Sequence, residues 1–131
     1  MIRPRILLAD DHPAILAAVS ALLQPRFEVV GEASDGEGLV SETLRLNPDV
    51  IVADITMSGF SGIDAVHQLR EAGHKPRVVF LTVHSEDEFV AACLAEGASG
   101  YVLKTRMKTQ LIPAIEAALA GQTFVLPFSS Q

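Results

Sequence analysis

The sequence predicts an α/β fold: one domain of five strands and five helices, in which βαβ units build a parallel sheet. Three observations carry this expectation. Short apolar runs rich in β-branched residues alternate along the 131-residue chain with longer stretches spaced for a helix, as in strands joined by crossover helices. Val50-Ile51-Val52-Ala53 is aliphatic at four consecutive positions, as a strand covered on both faces requires. It lies between the turn Asn47-Pro48 and a small-residue segment, Ser58 to Gly62, and the other connections are of ordinary length.

The elements follow in order. Strand one is Arg5 to Ala9, and Pro13 opens a helix to about Leu23, with Asp11 or His12 able to cap its free amides. Strand two is Phe27 to Ala33. Asp35-Gly36 turns into a helix from about Glu37 to Leu46, which Asn47-Pro48 ends. Strand three, Asp49 to Asp54, closes on a carboxylate. Ser61 caps the next helix, which runs to about Ala72 with Gly73 at its C-terminal stop. Strand four is Arg77 to Val83. Ser85-Glu86-Asp87-Glu88 reads as a capping box for a helix ending at Gly97. Strand five is Gly100 to Leu103, with Lys104 just beyond. The last helix, about Lys108 to Ala120, contains Pro113, so it either starts later or is kinked there.

Composition narrows the function classes. A chain of this length can bury a full core without disulfides or a structural metal. The single cysteine, Cys93, lies among small and apolar residues, where a thiol serves as filler. The apolar run Ile6 to Ala9 is cut by Asp10 and Asp11 before it reaches signal-peptide length, and no apolar stretch could span a bilayer. A reducing cytoplasm is the expected compartment. The net charge is −6 and the ten basic residues are scattered, which argues against direct nucleic acid binding by this domain.

Parallel strands with right-handed crossovers bring the residues past their carboxyl ends to one rim, where ligands collect in open α/β sheets. On this rim stand Asp10 and Asp11, Asp54, Thr82 and Lys104. Crowded carboxylates repel, and without a counter-charge at least one should have its pKa raised. A hard divalent cation answers that, and Mg²⁺ suits oxygen ligands best. A hydroxyl and an ammonium across the rim suit phosphoryl oxygens, which makes Asp54 a candidate nucleophile forming an aspartyl-phosphate. Taken singly, Asp54 could be a helix cap and Lys104 a solvated strand end.

Leu7-Leu8-Ala9-Asp10-Asp11-His12-Pro13, Asp54-Ile55-Thr56-Met57, Leu81-Thr82-Val83-His84 and Gly97 to Lys104 resemble, in order and over essentially the whole chain, receiver domains of two-component response regulators, most closely the NarL/FixJ type. The resemblance implies a doubly wound, flavodoxin-like sheet of order 2-1-3-4-5. It implies that Asp54 accepts a phosphoryl group from a sensor histidine kinase, and that Asp10 or Asp11, Asp54 and the Thr56 carbonyl bind Mg²⁺. Thr82, Tyr101 and Lys104 would read the phosphate, with Thr82 moving toward it and Tyr101 turning inward to remodel the surface of the fourth helix and fifth strand. The implied chemistry ends at self-phosphorylation and slow hydrolysis, with no separate substrate. A phosphorylation-independent protein-binding module is the alternative. A small-molecule module of the same fold is disfavoured, because Asp-Asp-His-Pro offers no cradle for a cofactor phosphate.

The sequence departs from the receiver pattern after Asp54, where Ser58 replaces the usual proline and Phe60 the common methionine. Losing proline should free that loop by about 1 kcal/mol. Thr56 and His84 flank the site and are expected to govern the attacking water. The first and last helices carry few charges, and Leu16, Ala17, Ser20, Ile112 and Leu119 fall outside the stripes that face the sheet, so these helices are expected to form a homodimer surface. The domain is expected to span residues 1–121. Gly121 to Pro127 resembles the exit toward a helix-turn-helix DNA-binding domain, so residues 122–131 are expected to start a linker to an output domain not in this chain; the alternative is a stand-alone receiver acting by protein contact alone.

Overall fold

The computed structural model describes residues 2–125. Its elements are β1 (Arg5–Ala9), α1 (Pro13–Leu23), β2 (Glu28–Ala33), α2 (Gly36–Leu46), β3 (Val50–Ala53), α3 (Gly62–Glu71), β4 (Val78–Thr82), α4 (Asp87–Ala95), β5 (Gly100–Leu103), α5 (Met107–Leu119) and β6 (Phe124–Val125), with a single 3₁₀ turn at Lys104–Arg106 before α5. The sheet is parallel, in the order β2-β1-β3-β4-β5-β6. The doubly wound order 2-1-3-4-5 is therefore present with a sixth, short strand added. Phe124 and Val125, read from sequence as part of the way out of the domain, pair with Gly100 and Tyr101 of β5. Two residues carry no periodicity, so the sequence held no strand signal there. Leu126 and Pro127 of that reading lie outside the described residues.

Successive strand residues point to opposite faces, and here both faces are covered. Leu7, Ala9, Ile51, Ala53, Phe80 and Tyr101 join one core with Leu39, Ala65, Val66 and Cys93 from α2, α3 and α4. Ile6, Leu8, Val50, Val52, Leu81 and Val102 join the other with Val19, Leu23, Leu111 and Ile115 from α1 and α5. Double coverage explains why the central strands read as unbroken apolar runs. Cys93 is fully buried, and burial pushes its thiol up to about 12, which leaves it a packing residue.

Capping follows the sequence at two helices and departs from it at two. Asp35 accepts a hydrogen bond from the Gly38 amide at 2.6 Å, and Ser61 accepts one from Asp64 at 3.1 Å. Asn47, with φ of 47°, and Gly73, with φ of 92°, supply the left-handed exits. At α1, however, His12 occupies the N-cap position and neither it nor Asp11 caps through its side chain. The expected capping box at Ser85 does not form, because α4 begins at Asp87 with Glu86 at the cap, placing Ser85 one residue too early. Just before this start, Tyr101 donates to the His84 carbonyl at 2.7 Å. Helix α5 does not start later than expected; Met107 opens it and Pro113 stays inside, leaving the Thr109 carbonyl without its helical donor.

The loop after β3 is anchored despite lacking proline. Met57 is buried, Ser58 bridges to Asp35 at the start of α2, and Gly62 donates to the Ile55 carbonyl at 2.7 Å. Gly62 lies so close to Asp54 that a methyl group on it would overlap the Asp54 carbonyl oxygen. Gly62→Ala should therefore cost about 1–3 kcal/mol in urea unfolding, as overpacking does. A loss under about 0.5 kcal/mol would show that this loop relaxes without strain.

Candidate functional site

Each strand delivers its polar residue at the point where its apolar run stops. Asp10 follows β1 and its amide donates to Ala33 of β2 at 3.0 Å, while the Asp54 amide donates to Ala9 at 2.9 Å. These backbone bonds continue the sheet one step past the apolar residues and so hold both acids at one rim. Asp10 and Asp54 are buried, as is Thr82, the last residue of β4.

Lys104 bridges the acids. Its Nζ lies 2.8 Å from Asp10 Oδ2 and 3.0 Å from Asp54 Oδ2. Burial works against its charge, but the hydrogen bonds and charges of Asp10 and Asp54 outweigh this and hold the ammonium above its ordinary pKa. The counter-charge that the crowded carboxylates require is thus supplied in part by lysine. Asp54 Oδ1 accepts the Ile55 amide at 2.7 Å.

The opposite side of the rim is less satisfied. Asp10 Oδ1 accepts both the amide and the Nδ1 of His12, each at 2.9 Å. Among the described residues, Asp11 Oδ1 is buried without a hydrogen-bond partner, although His12 Nδ1 lies 3.0 Å away. One carboxylate oxygen from each of Asp10, Asp11 and Asp54 and one nitrogen of His12 lie within 4.8 Å of one another. An orphaned, buried carboxylate oxygen beside two further acids fits a hard divalent cation with oxygen ligands.

A third group links the rim to α4. The Thr56 hydroxyl and His84 Nε2 are 2.8 Å apart, and the His84 ring stacks on Phe89 with centroids 4.2 Å apart and planes at 16°. Tyr101 is fully buried. Burial first, and then nearby charges including Glu86 and Asp54, push its hydroxyl pKa upward. The Thr82 hydroxyl lies 3.3 Å from the His84 amide.

Thus Asp10, Asp11, Asp54 and Lys104 meet as expected, Thr82 and Tyr101 end and line the adjoining strands, and Thr56 stands at the rim. The sequence reading missed that His12 turns its ring toward the carboxylates and that Phe89 backs His84. The only signal for His12 was its position after two aspartates at a strand end. Leu16, Ile112 and Leu119, read as facing away from the sheet, are half-buried against the core shared by α1 and α5, and Ser20 is half-buried too; Ala17 is exposed. Ala114 and Ala118 are fully buried in the same core. Arg26, just after α1, pairs with Glu116 of α5 at 2.8 Å.

Comparison with known proteins agrees with this geometry. Residues 6–116 match the family model for the response regulator receiver domain. The chain is 39% identical to the transcriptional regulatory protein LiaR of Bacillus subtilis over 90% of its own length and 57% of LiaR. It is equally identical to the nitrate/nitrite response regulator NarL of Escherichia coli K12, over 89% of its length and 55% of NarL. It therefore spans little more than half of these curated relatives. A LuxR-family two-component response regulator from Aurantimonas sp. SI85-9A1 superposes with a TM-score of 0.88 at 35% identity, covering 93% of this chain and 89% of that one. The isolated receiver of RcsB from Salmonella enterica serovar Typhimurium, solved with the phosphomimetic BeF₃⁻, superposes at 0.86 with 26% identity over 95% and 94% of the two chains. With its acids, hydroxyl and ammonium gathered at one end of a doubly wound sheet, the chain belongs to the response regulator receiver domain family, in its NarL and LuxR branch.

Proposed function

We propose that the domain is a phosphorylation-controlled switch, in which a carboxylate oxygen of Asp54 attacks the phosphorus of a phosphohistidine on a sensor kinase. The P–N bond breaks with its electron pair going to nitrogen, the ring, protonated on its other nitrogen, leaves as neutral imidazole, and Asp54 becomes an acyl phosphate. The observation that carries this reading is that Lys104 pairs with both Asp10 and Asp54 while the buried Asp11 Oδ1 has no hydrogen-bond donor among the described residues. Asp10, Asp11, Asp54 and the Thr56 carbonyl would hold Mg²⁺, whose charge would offset that of the phosphoryl oxygens. Lys104 neutralises an oxygen from the opposite direction, and Thr82 supplies a hydroxyl where β4 ends. No other substrate is turned over.

Output follows from the group that backs the site. A shift of Thr82 toward the phosphoryl group would disturb the His84 amide it touches, and His84 bears on Tyr101 and Phe89. The α4–β5 surface would change in consequence. The curated relatives are nearly twice as long, and LiaR is a transcriptional regulatory protein by name, which supports a DNA-binding output domain acting with this receiver in a cytoplasmic regulator. The exposed Ala17 and the half-buried Leu16, Ser20, Ile112 and Leu119 would give a second copy a shallow, weakly charged face on α1 and α5.

Incubation with Mg²⁺ and acetyl phosphate, or with beryllofluoride, should modify the chain or change its spectrum, and Asp54→Asn should abolish this. A response that persists in Asp54→Asn, or one independent of Mg²⁺, would leave only the constitutive protein-binding reading. Thr56→Val and His84→Ala should each change the dephosphorylation rate severalfold while shifting stability by less than about 1 kcal/mol. An unchanged phosphate lifetime would remove their role over the attacking water. Sedimentation should show a dimer that Ala17→Glu with Ser20→Glu dissociates, whereas a monomer throughout would refute the α1–α5 face.

A further inference from the structure

The ring of His12 is 64% exposed, yet its Nδ1 turns inward to the carboxylates. The backbone fixes it there. His12 holds an extended conformation at the N-cap position, Pro13 follows at the first helical position, and the His12 amide is tied to Asp10 Oδ1 at 2.9 Å. The ring does not cap the helix, so its orientation has no use in α1. Its Nδ1 lies 2.9 Å from Asp10 Oδ1 and 3.0 Å from Asp11 Oδ1. One ring proton serves only the first of these, and the second oxygen, buried, is left without a donor.

Adjacent ligands around an octahedral cation with bonds of about 2.1 Å are about 3 Å apart. The separations of Nδ1 from the two oxygens are those of ligands on neighbouring corners of such a shell. We infer that His12 is a nitrogen ligand of the rim's cation site, which makes the site select first-row transition ions such as Mn²⁺ and Ni²⁺ over Mg²⁺. Imidazole binds in the tautomer that carries its proton on Nε2, the exposed side of the ring, and gives its Nδ1 lone pair to the metal. Nitrogen donation strengthens along the series from Mn²⁺ to Ni²⁺, whereas Mg²⁺ gains little from it and prefers oxygen. This deepens the Mg²⁺ reading above and rests on the same carboxylates.

The test uses the whole chain with each metal ion alone, at one fixed pH. Pulsed EPR of bound Mn²⁺ should show the modulation of a directly coordinated ¹⁴N, absent in His12→Ala and in His12→Asn. Calorimetric titration should show Ni²⁺ affinity falling about tenfold or more in both variants, with Mg²⁺ affinity changing less than about twofold. Mn²⁺ bound without ¹⁴N modulation overturns the inference and leaves the Mg²⁺ site standing. Equal losses of Ni²⁺ and Mg²⁺ affinity overturn it too, since His12 would then act only by orienting Asp10. Failure of all three ions to bind would overturn both this inference and the Mg²⁺ reading. Unchanged melting temperatures in the two variants exclude a folding defect as the cause of any loss.

Discussion

The Lys104 ammonium, held between Asp10 and Asp54, is the contact on which the rim depends. It joins the ends of three strands: β1 through Asp10, β3 through Asp54 and the β5 exit through Lys104 itself. At these separations each pairing has a Coulomb attraction on the order of 5 kcal/mol in a medium of effective dielectric about 20. Desolvating three charges offsets much of that. What survives is orientation. Two acids that would repel each other are fixed with one oxygen each turned toward the lysine, which leaves Asp10 Oδ1 facing His12 and the orphaned Asp11 oxygen.

Most of this arrangement was legible because parallel sheets leave a strong signal. Central strands covered on both faces are apolar over most of their length, and β1 and β3 end where the first carboxylate appears. Asp10, Asp54 and Lys104 accordingly stand directly after β1, β3 and β5, and the sheet's backbone hydrogen bonds continue to the amides of Asp10 and Asp54. Pairing between distant strands could not be read the same way. The order β2-β1-β3-β4-β5 came from resemblance to a family, not from the pattern of any single segment.

The misses have a common physical cause, which is tertiary contact overriding a local rule. Ser85 to Glu88 has the composition of a capping box, but the helix starts a residue later, where the preceding His84 carbonyl accepts a hydrogen bond from Tyr101 of β5. Leu16, Ile112 and Leu119 lie off the ideal stripe, yet they pack against the core shared by α1 and α5. Phe124 and Val125 gain strand structure only because the edge of β5 offers them partners. A loop without its usual proline is anchored instead by Met57 in the core and by the Ser58 bridge to Asp35. None of these outcomes is encoded within a few residues of where it occurs.

The two sides of the rim are coupled through Asp10, and this bears on how a phosphoryl group would be sensed. Asp10 accepts from Lys104 through Oδ2 and from His12 through Oδ1. A cation drawing on Oδ1 reduces the negative charge that Asp10 presents to Lys104, so the ammonium is freed to lean toward Asp54. A phosphoryl group on Asp54 adds negative charge on the same side and pulls Lys104 further that way, which in turn leaves Asp10 more negative toward the cation. Each charge therefore strengthens the site for the other, as thermodynamic linkage requires of any such coupling. Lys104, raised above its ordinary pKa by both acids, remains charged throughout the neutral range and can pass between them without a proton being lost. Under the proposed switch, the output side would read the same shift through the Thr82 hydroxyl and the His84 amide it touches, so that one ammonium between two carboxylates would couple the cation to the phosphoryl group.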